Sequence, residues 1–216
     1  MSLDSPSTTY TDPHASYLAT ACLEFLLIEL VPMSYRIAAD LSAREEEWMK
    51  GGAVGGGDTG SVTGKSGIGT GMGESVGDEE EAREAVFFRL ERLGYRVGLG
   101  IVERFSRDKP RFNDTLDVIK FLCKDLWTLV FKKQIDNLKT NHRGIYVLTD
   151  NTFKPLTRMS FEKGQDNIAR AQPFLYFPAG IIRGALASMG INATVQAETA
   201  ALPGATFQIR TVGAKP

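Results

Sequence analysis

The sequence predicts an α+β domain in which helices cover one face of an antiparallel sheet. Three observations carry this. Apolar helical patterns fill residues 16–35, 78–105 and 114–130. Two pairs of short strand-like segments follow, near residues 134–149 and 193–210. One further helical pattern separates those pairs. Helices, hairpin, helix, hairpin is a segregated order, and segregation favours an antiparallel sheet with helices on one side. A chain of 216 residues suits one domain with an insertion, large enough to bury a core without staples.

The elements follow in chain order. Residues 1–14 are rich in Ser, Thr and Pro and are expected to be a disordered tail, leaving residues 15–216 as a single domain. Ser16 suits the cap of a first helix running to about Tyr35. Leu18, Ala21, Cys22, Phe25, Leu26, Ile28 and Leu30 make that helix apolar on most faces, which asks for cover on most sides. Pro32 is expected to end or kink it. Residues 51–77 hold 12 of the 22 glycines. A tract of that composition cannot recover its ordering entropy by burial, so it is expected to be a disordered insertion.

The second helix is predicted from about Asp78 to Phe105, its acidic start suiting the positive end of the helix dipole. It shows two apolar stripes. One carries Phe87, Leu90, Gly94, Val97, Ile101 and Phe105, and the other Phe88, Tyr95, Leu99 and Val102. Two stripes imply two packing partners. Gly94, Gly98 and Gly100 each cost about 1 kcal/mol relative to alanine in a helix, a cost that close approach of another backbone would offset. Asn113 or Asp114 caps a third helix burying Val118, Ile119, Leu122, Leu126, Leu129 and Val130. Strands are expected at about Gln134–Thr140 and Ile145–Thr149, with the turn at residues 141–144. A last helix runs from about Gln172 to Met189 and stops at Gly190. In the closing strands Ala193, Val195 and Ala197, then Ala205, Phe207 and Ile209, alternate with polar residues.

Chemistry-bearing patterns are sparse. Gly55, Gly57 and Gly60 satisfy a dinucleotide fingerprint, and Thr59–Ser66 nearly satisfies a phosphate loop. Both lie among further glycines, without the strand before and helix after that such loops require. His14 and His142 are the only histidines, and no His/Cys/carboxylate spacing suggests a metal site. No serine sits in a nucleophile elbow. The expectation is a protein that is not an enzyme and needs no cofactor. A net charge of −1 gives no steering toward nucleic acid. The longest apolar run, Phe25–Met33, is interrupted by Glu29 and Pro32 and falls short of the roughly 20 residues that span a bilayer. No secretory leader is expected, and Cys22 and Cys123 read as small buried hydrophobes rather than a disulfide.

Two surface features remain. Lys132, Lys133, Lys139, His142 and Arg143 form a local basic cluster suited to an acidic partner or an anionic membrane. The first helix and the second stripe of the second helix carry more apolar surface than one sheet-backed layer covers. A protein interface is therefore expected over Leu18, Cys22, Phe25, Leu26, Phe88, Tyr95, Leu99 and Val102, with Phe25, Phe88 and Tyr95 as anchors.

Several long blocks carry a resemblance. GYRVG at 94–98, ERF at 103–105, LDVIKFLCKDLW at 116–127, FKKQIDNLKTNHRGIYVLTD at 131–150, FPAGIIRGAL at 177–186 and LEFLLIELVP at 23–32 resemble the small subunits of TRAPP, the transport protein particle. The match looks like the subunit-six branch in its fungal form and covers residues 16–48 and 79–213. The resemblance implies helices on one side of a twisted four-stranded antiparallel sheet. It also implies a scaffold role in a complex that tethers vesicles and activates Rab GTPases in ER-to-Golgi and Golgi traffic. Pairing with a subunit-three-type partner through the first two helices is implied, with contacts to other TRAPP subunits. Rab and membrane would be met only through the complex, in the cytoplasm at ER and cis-Golgi membranes. Subunit-three relatives carry an S-acylated cysteine between their second and third long helices. The corresponding stretch here, SRDKPRFND at 106–114, has no cysteine, so no acylation and a filled interior are expected. The alternative is an acyl-chain or small-molecule binding domain with an internal apolar cavity.

Overall fold

The structure, a computed structural model, describes residues 19–51, 76–141, 143–160 and 167–212. The expected N-terminal tail and residues 52–75 of the glycine tract lie outside the described residues, as do Ser16, Leu18 and His142.

Helix α1 spans Thr20–Gly51 and α2 spans Val76–Phe105. Pro32 lies inside α1, which runs on to Gly51 instead of stopping near Tyr35. A proline withdraws one backbone donor, and the Ala-, Arg- and Glu-rich residues beyond it favour helix strongly enough to carry the rod on. Two residues past the proline, the buried Ser34 hydroxyl donates to the Leu30 carbonyl at 2.8 Å.

The third predicted helix is a continuous rod of three parts: α3 (Thr115–Phe121), a π-helical turn (Leu122–Leu126) and α4 (Trp127–Phe131). Asp114 is its cap, its carboxylate accepting from the Asp117 amide at 2.8 Å. The rod ends at Lys132, whose φ of 60° is left-handed.

Strands β1 (Asn137–Thr140), β2 (Ile145–Asp150), β3 (Ala193–Glu198) and β4 (Ala205–Thr211) form one sheet in the order β1-β2-β4-β3. Every neighbouring pair is antiparallel, with Leu148 opposite Phe207 and Val195 opposite Ile209. Between the hairpins lie α5 (Lys154–Thr157), α6 (Asn167–Ala171), a 3₁₀ turn (Gln172–Leu175) and α7 (Tyr176–Ser188). Pro155 sits in the first turn of the short α5, which the periodicity of the sequence did not reveal. The last predicted helix is broken at its start, where Pro173 falls in the 3₁₀ turn, and it stops at Gly190 with φ of 79°.

The strand alternation decides which face is covered. Tyr146, Leu148, Ala205, Phe207 and Ile209 are buried and form one core with the α3–α4 rod and α7. At its centre Trp127 packs against Phe131, Phe153 and Phe207 with ring centroids 4.5, 6.0 and 5.3 Å away. All four rings are fully buried. A smaller core joins Leu30, Val31 and Ala38 of α1 to Val86 and Leu90 of α2.

The α2–α7 contact explains the helical glycines. A Cβ on Gly94 would lie 2.1 Å from the Phe177 carbonyl oxygen, and one on Gly98 would lie 2.3 Å from that of Ile181. Gly180 and Gly184 of α7 meet the Glu91 and Tyr95 carbonyls in the same way, each at 2.1 Å. Two backbones thus touch along a stripe that admits no side chain. Gly100 is different, since nothing stands within 4 Å of its missing Cβ. The close-approach expectation therefore fails for Gly100.

Candidate interaction surface

The apolar stripes of α2 sort differently from the expected pair. Its buried line runs every four residues, through Val86, Leu90, Gly94, Gly98 and Val102. This line crosses the two expected stripes because a spacing of four drifts steadily around a 3.6-residue helix. Val102 is 2% exposed within the main core, so its expected place in an interface is corrected.

What stays outside is still extensive. Phe25 is 68% exposed, Leu26 58% and Phe88 57%. Cys22 is exposed on the same helix as Phe25. Phe87 is held by edge-on contacts with Phe88 and Tyr176, at 5.5 and 5.0 Å between ring centroids. Tyr95 and Leu99 are half-buried. The Arg183 guanidinium lies 4.3 Å from the Tyr95 ring centroid, and Glu91 grips it through two hydrogen bonds, one of them 2.7 Å. That grip raises the Arg183 pKa beyond its ordinary value. Tyr95 is thus a wall of a charged clamp between α2 and α7 as well as part of an outer face. Leu18 lies outside the described residues.

The sequence also missed exposed apolar side chains. Trp48 and Met49 are 83% and 85% exposed at the end of α1, beyond the point where the helix was expected to stop. The length of the run after Pro32, read as helix, was the available signal.

The basic cluster divides. Lys133 turns inward, its Nζ bonded to Asp150, to Asp136 at 3.0 Å and to the Thr152 hydroxyl at 2.9 Å. This corrects its expected role as free surface charge. Lys139 and Arg143 are exposed at the β1–β2 hairpin, and Lys132 is exposed at the end of α4.

Two hollows bear on the idea of an internal binder. One, of about 30 Å³, is an apolar notch between α1, α4 and α5. That is room for about two water molecules. The other, of about 890 Å³, is open and polar and borders residues 106–114. Neither is an enclosed apolar channel, and the centre of the fold is filled by the four aromatic rings. Among the described residues no cluster of three His, Cys, Asp or Glu side chains could hold a metal ion, and no helix is long and apolar enough to cross a membrane.

Residues 23–212 match the family described as Transport protein particle (TRAPP) component. The chain is 51% identical over 134 residues to trafficking protein particle complex subunit 6b of Danio rerio, a match covering 62% of this chain and 83% of that protein. It is 53% identical over 121 residues to subunit 6B of Homo sapiens, covering 56% and 75%. An uncharacterized protein of Schizosaccharomyces pombe is 35% identical over 190 residues, covering 88% of this chain and 62% of the other. Among solved structures, a trafficking protein particle complex subunit 3 from Naegleria fowleri, covalently bound to palmitic acid, superposes with a TM-score of 0.50 at 14% identity. That superposition covers 62% of this chain and 84% of the other, and it supports the fold.

Proposed function

The chain belongs to the TRAPP component family, on its subunit-six branch, and from that premise we propose that it is a non-catalytic scaffold subunit that pairs with a subunit-three-type TRAPP subunit through α1 and α2. In this reading the pair joins other TRAPP subunits in a complex that tethers vesicles and promotes Rab nucleotide exchange. The chain itself then works in the cytoplasm, at ER and cis-Golgi membranes, and reaches membrane and Rab only through the complex.

The observation that carries the reading is the exposure of Phe25, Leu26 and Phe88 on two helices that already share a core. Large exposed apolar groups cluster where proteins meet. A standard interface buries about 800 Å² on each side, and its energy comes from a few aromatic and aliphatic anchors. Phe25 and Phe88 are anchors of that kind, with Leu26 beside Phe25. The absence of a cysteine from residues 106–114, together with the aromatic centre, supports a subunit that is not S-acylated.

The test is co-expression with a subunit-three-type partner, read by light scattering. The native chain is expected to run as a heterodimer. Phe25→Asp and Phe88→Asp are expected to run as folded monomers, because neither side chain supports the chain's own core. A native chain that stays monomeric beside its partner at high concentration would defeat the reading.

A further inference from the structure

The notch between α1, α4 and α5 has the makings of a peptide site. Its walls are apolar, formed chiefly by Leu27, Ile28, Phe131 and Pro155. Its rim is cationic, carrying Lys132, Lys154 and Arg158. One acid, Glu24, also stands there, and Arg158 takes it at 2.8 Å. Neither Lys132 nor Lys154 pairs with a carboxylate among the described residues; the Lys132 amine donates to the Leu129 carbonyl at 3.2 Å. The rim therefore keeps a surplus of positive charge around a greasy floor.

The backbone supplies an independent observation. Lys132 is the only described non-glycine residue with positive φ. A left-handed helix end is where glycine or asparagine is expected. Lysine is disfavoured there, and a side chain kept in a disfavoured backbone state is a reason to look for its use. That state places Lys132 directly at the notch.

We propose that this notch docks an acidic segment of another protein, which seats one aliphatic side chain on the apolar floor and sets flanking carboxylates against Lys132, Lys154 and Arg158. The volume of about 30 Å³ suits the tip of one side chain and is too small for an acyl chain. The charge complementarity selects acidic peptide over basic. The notch is lined by residues of α1, α4 and α5 but by none of Phe25, Leu26 and Phe88.

The experiment uses the full-length chain and a fluorescein-labelled synthetic peptide carrying one Leu between pairs of Glu, with a Leu→Ser peptide as control, read by anisotropy. Binding is expected for the Leu peptide, weaker for the Ser peptide, and weaker in both as salt rises. Lys132→Gly is the decisive variant. Glycine relieves the left-handed backbone, so its melting temperature is expected to hold or rise, while affinity falls about fivefold, the upper end for one exposed ion pair. Lys154→Glu is expected to cost about tenfold or more by adding repulsion. Equal binding by the native chain and Lys132→Gly would overturn the proposal, as would equal affinity for the Leu and Ser peptides. Two other results would also overturn it by naming a different occupant. One is sedimentation with phosphatidylserine vesicles, lost in Lys154→Glu, without peptide binding. The other is a concentration-dependent mass of the isolated chain that Lys154→Glu abolishes, which assigns the notch to a second copy.

Discussion

The indole Nε1 of Trp127 donates to Oδ2 of Asp150 at 3.0 Å, and both residues are 0% exposed. The other carboxylate oxygen of Asp150 accepts from Lys133 Nζ and from the Thr152 amide at 3.1 Å. A buried carboxylate is tolerable only when its lone pairs are met, and here three donors meet them. The bonds tie the start of α4, and Lys133 just past its end, to the end of β2. Asp150→Ala strands a buried indole N–H and takes one carboxylate from Lys133, which keeps Asp136, so it is expected to cost about 2–4 kcal/mol. Trp127→Phe keeps most of the ring but leaves the carboxylate short of a donor, with an expected cost of about 1–3 kcal/mol. Urea unfolding of the two variants beside the native chain checks both the size and the order of these losses.

The same cluster sets a pH dependence with two ends. The Asn151 amide, bonded at 2.7 Å, is the main reason the Asp136 carboxyl lies below its ordinary value, and Lys133 adds to it. A depressed carboxyl contributes stability that is present above its ordinary value of 3.8 and is lost as pH falls through the native value. For Lys133, burial works against the charge, but hydrogen bonds to Asp150 and then Asp136 outweigh it and raise the pKa above 10.5. That contribution is complete below 10.5 and is lost as pH rises through the native value. Asp136→Asn is expected to flatten the acid limb of stability while leaving an alkaline limb in place. Urea midpoints measured from pH 2 to 11 give the comparison.

Glycines of α2 are expected to respond in opposite directions to the same change. Gly98→Ala places a methyl 2.3 Å from the Ile181 oxygen and 2.8 Å from the Ala185 nitrogen, and both atoms are backbone. Neither can swing aside, so α2 and α7 must separate, with an expected loss of about 3 kcal/mol or more. Gly100→Ala meets open space and gains helix propensity, an expected stabilisation of about 0.5–1 kcal/mol. Melting curves of the two single variants decide the matter, since opposite signs from glycines two residues apart need a geometric cause.

Those glycines also mark how far the sequence could be read. The order of the long helices and the strands, a cap at Asn113 or Asp114, the Gly190 stop and the inward faces of β3 and β4 were legible because each rests on local chemistry or a simple period. The need for a close backbone at Gly94 and Gly98 was legible as well. Which residues of α2 face inward was not, since a line of contacts every fourth residue arises only once α7 is laid against it. Lys133 read as surface charge because its partners Asp150 and Thr152 lie 17 and 19 residues away. The notch could not be read because its three cations come from two separate elements, and α5 is a single turn that holds Pro155.

The two cysteines offer a reporter that joins the fold to the proposed pairing. Burial pushes the Cys123 thiol up to about 12, and its side chain lies in the main core. At pH 8 such a thiol stays protonated, and the thiolate is the reactive form. Cys22 is exposed on the α1 surface that carries Phe25 and Leu26. An aromatic disulfide reagent at pH 8 is therefore expected to titrate one thiol in the native chain and two in urea. Cys22→Ser should remove the native signal and leave one in urea. Adding a subunit-three-type partner should slow the native reaction at least tenfold if α1 is covered, while the Phe25→Asp chain keeps its free rate. A reaction equally fast with and without a partner that light scattering shows to be bound would place the shared surface away from Cys22, and would remove the N-terminal half of α1 from the pairing.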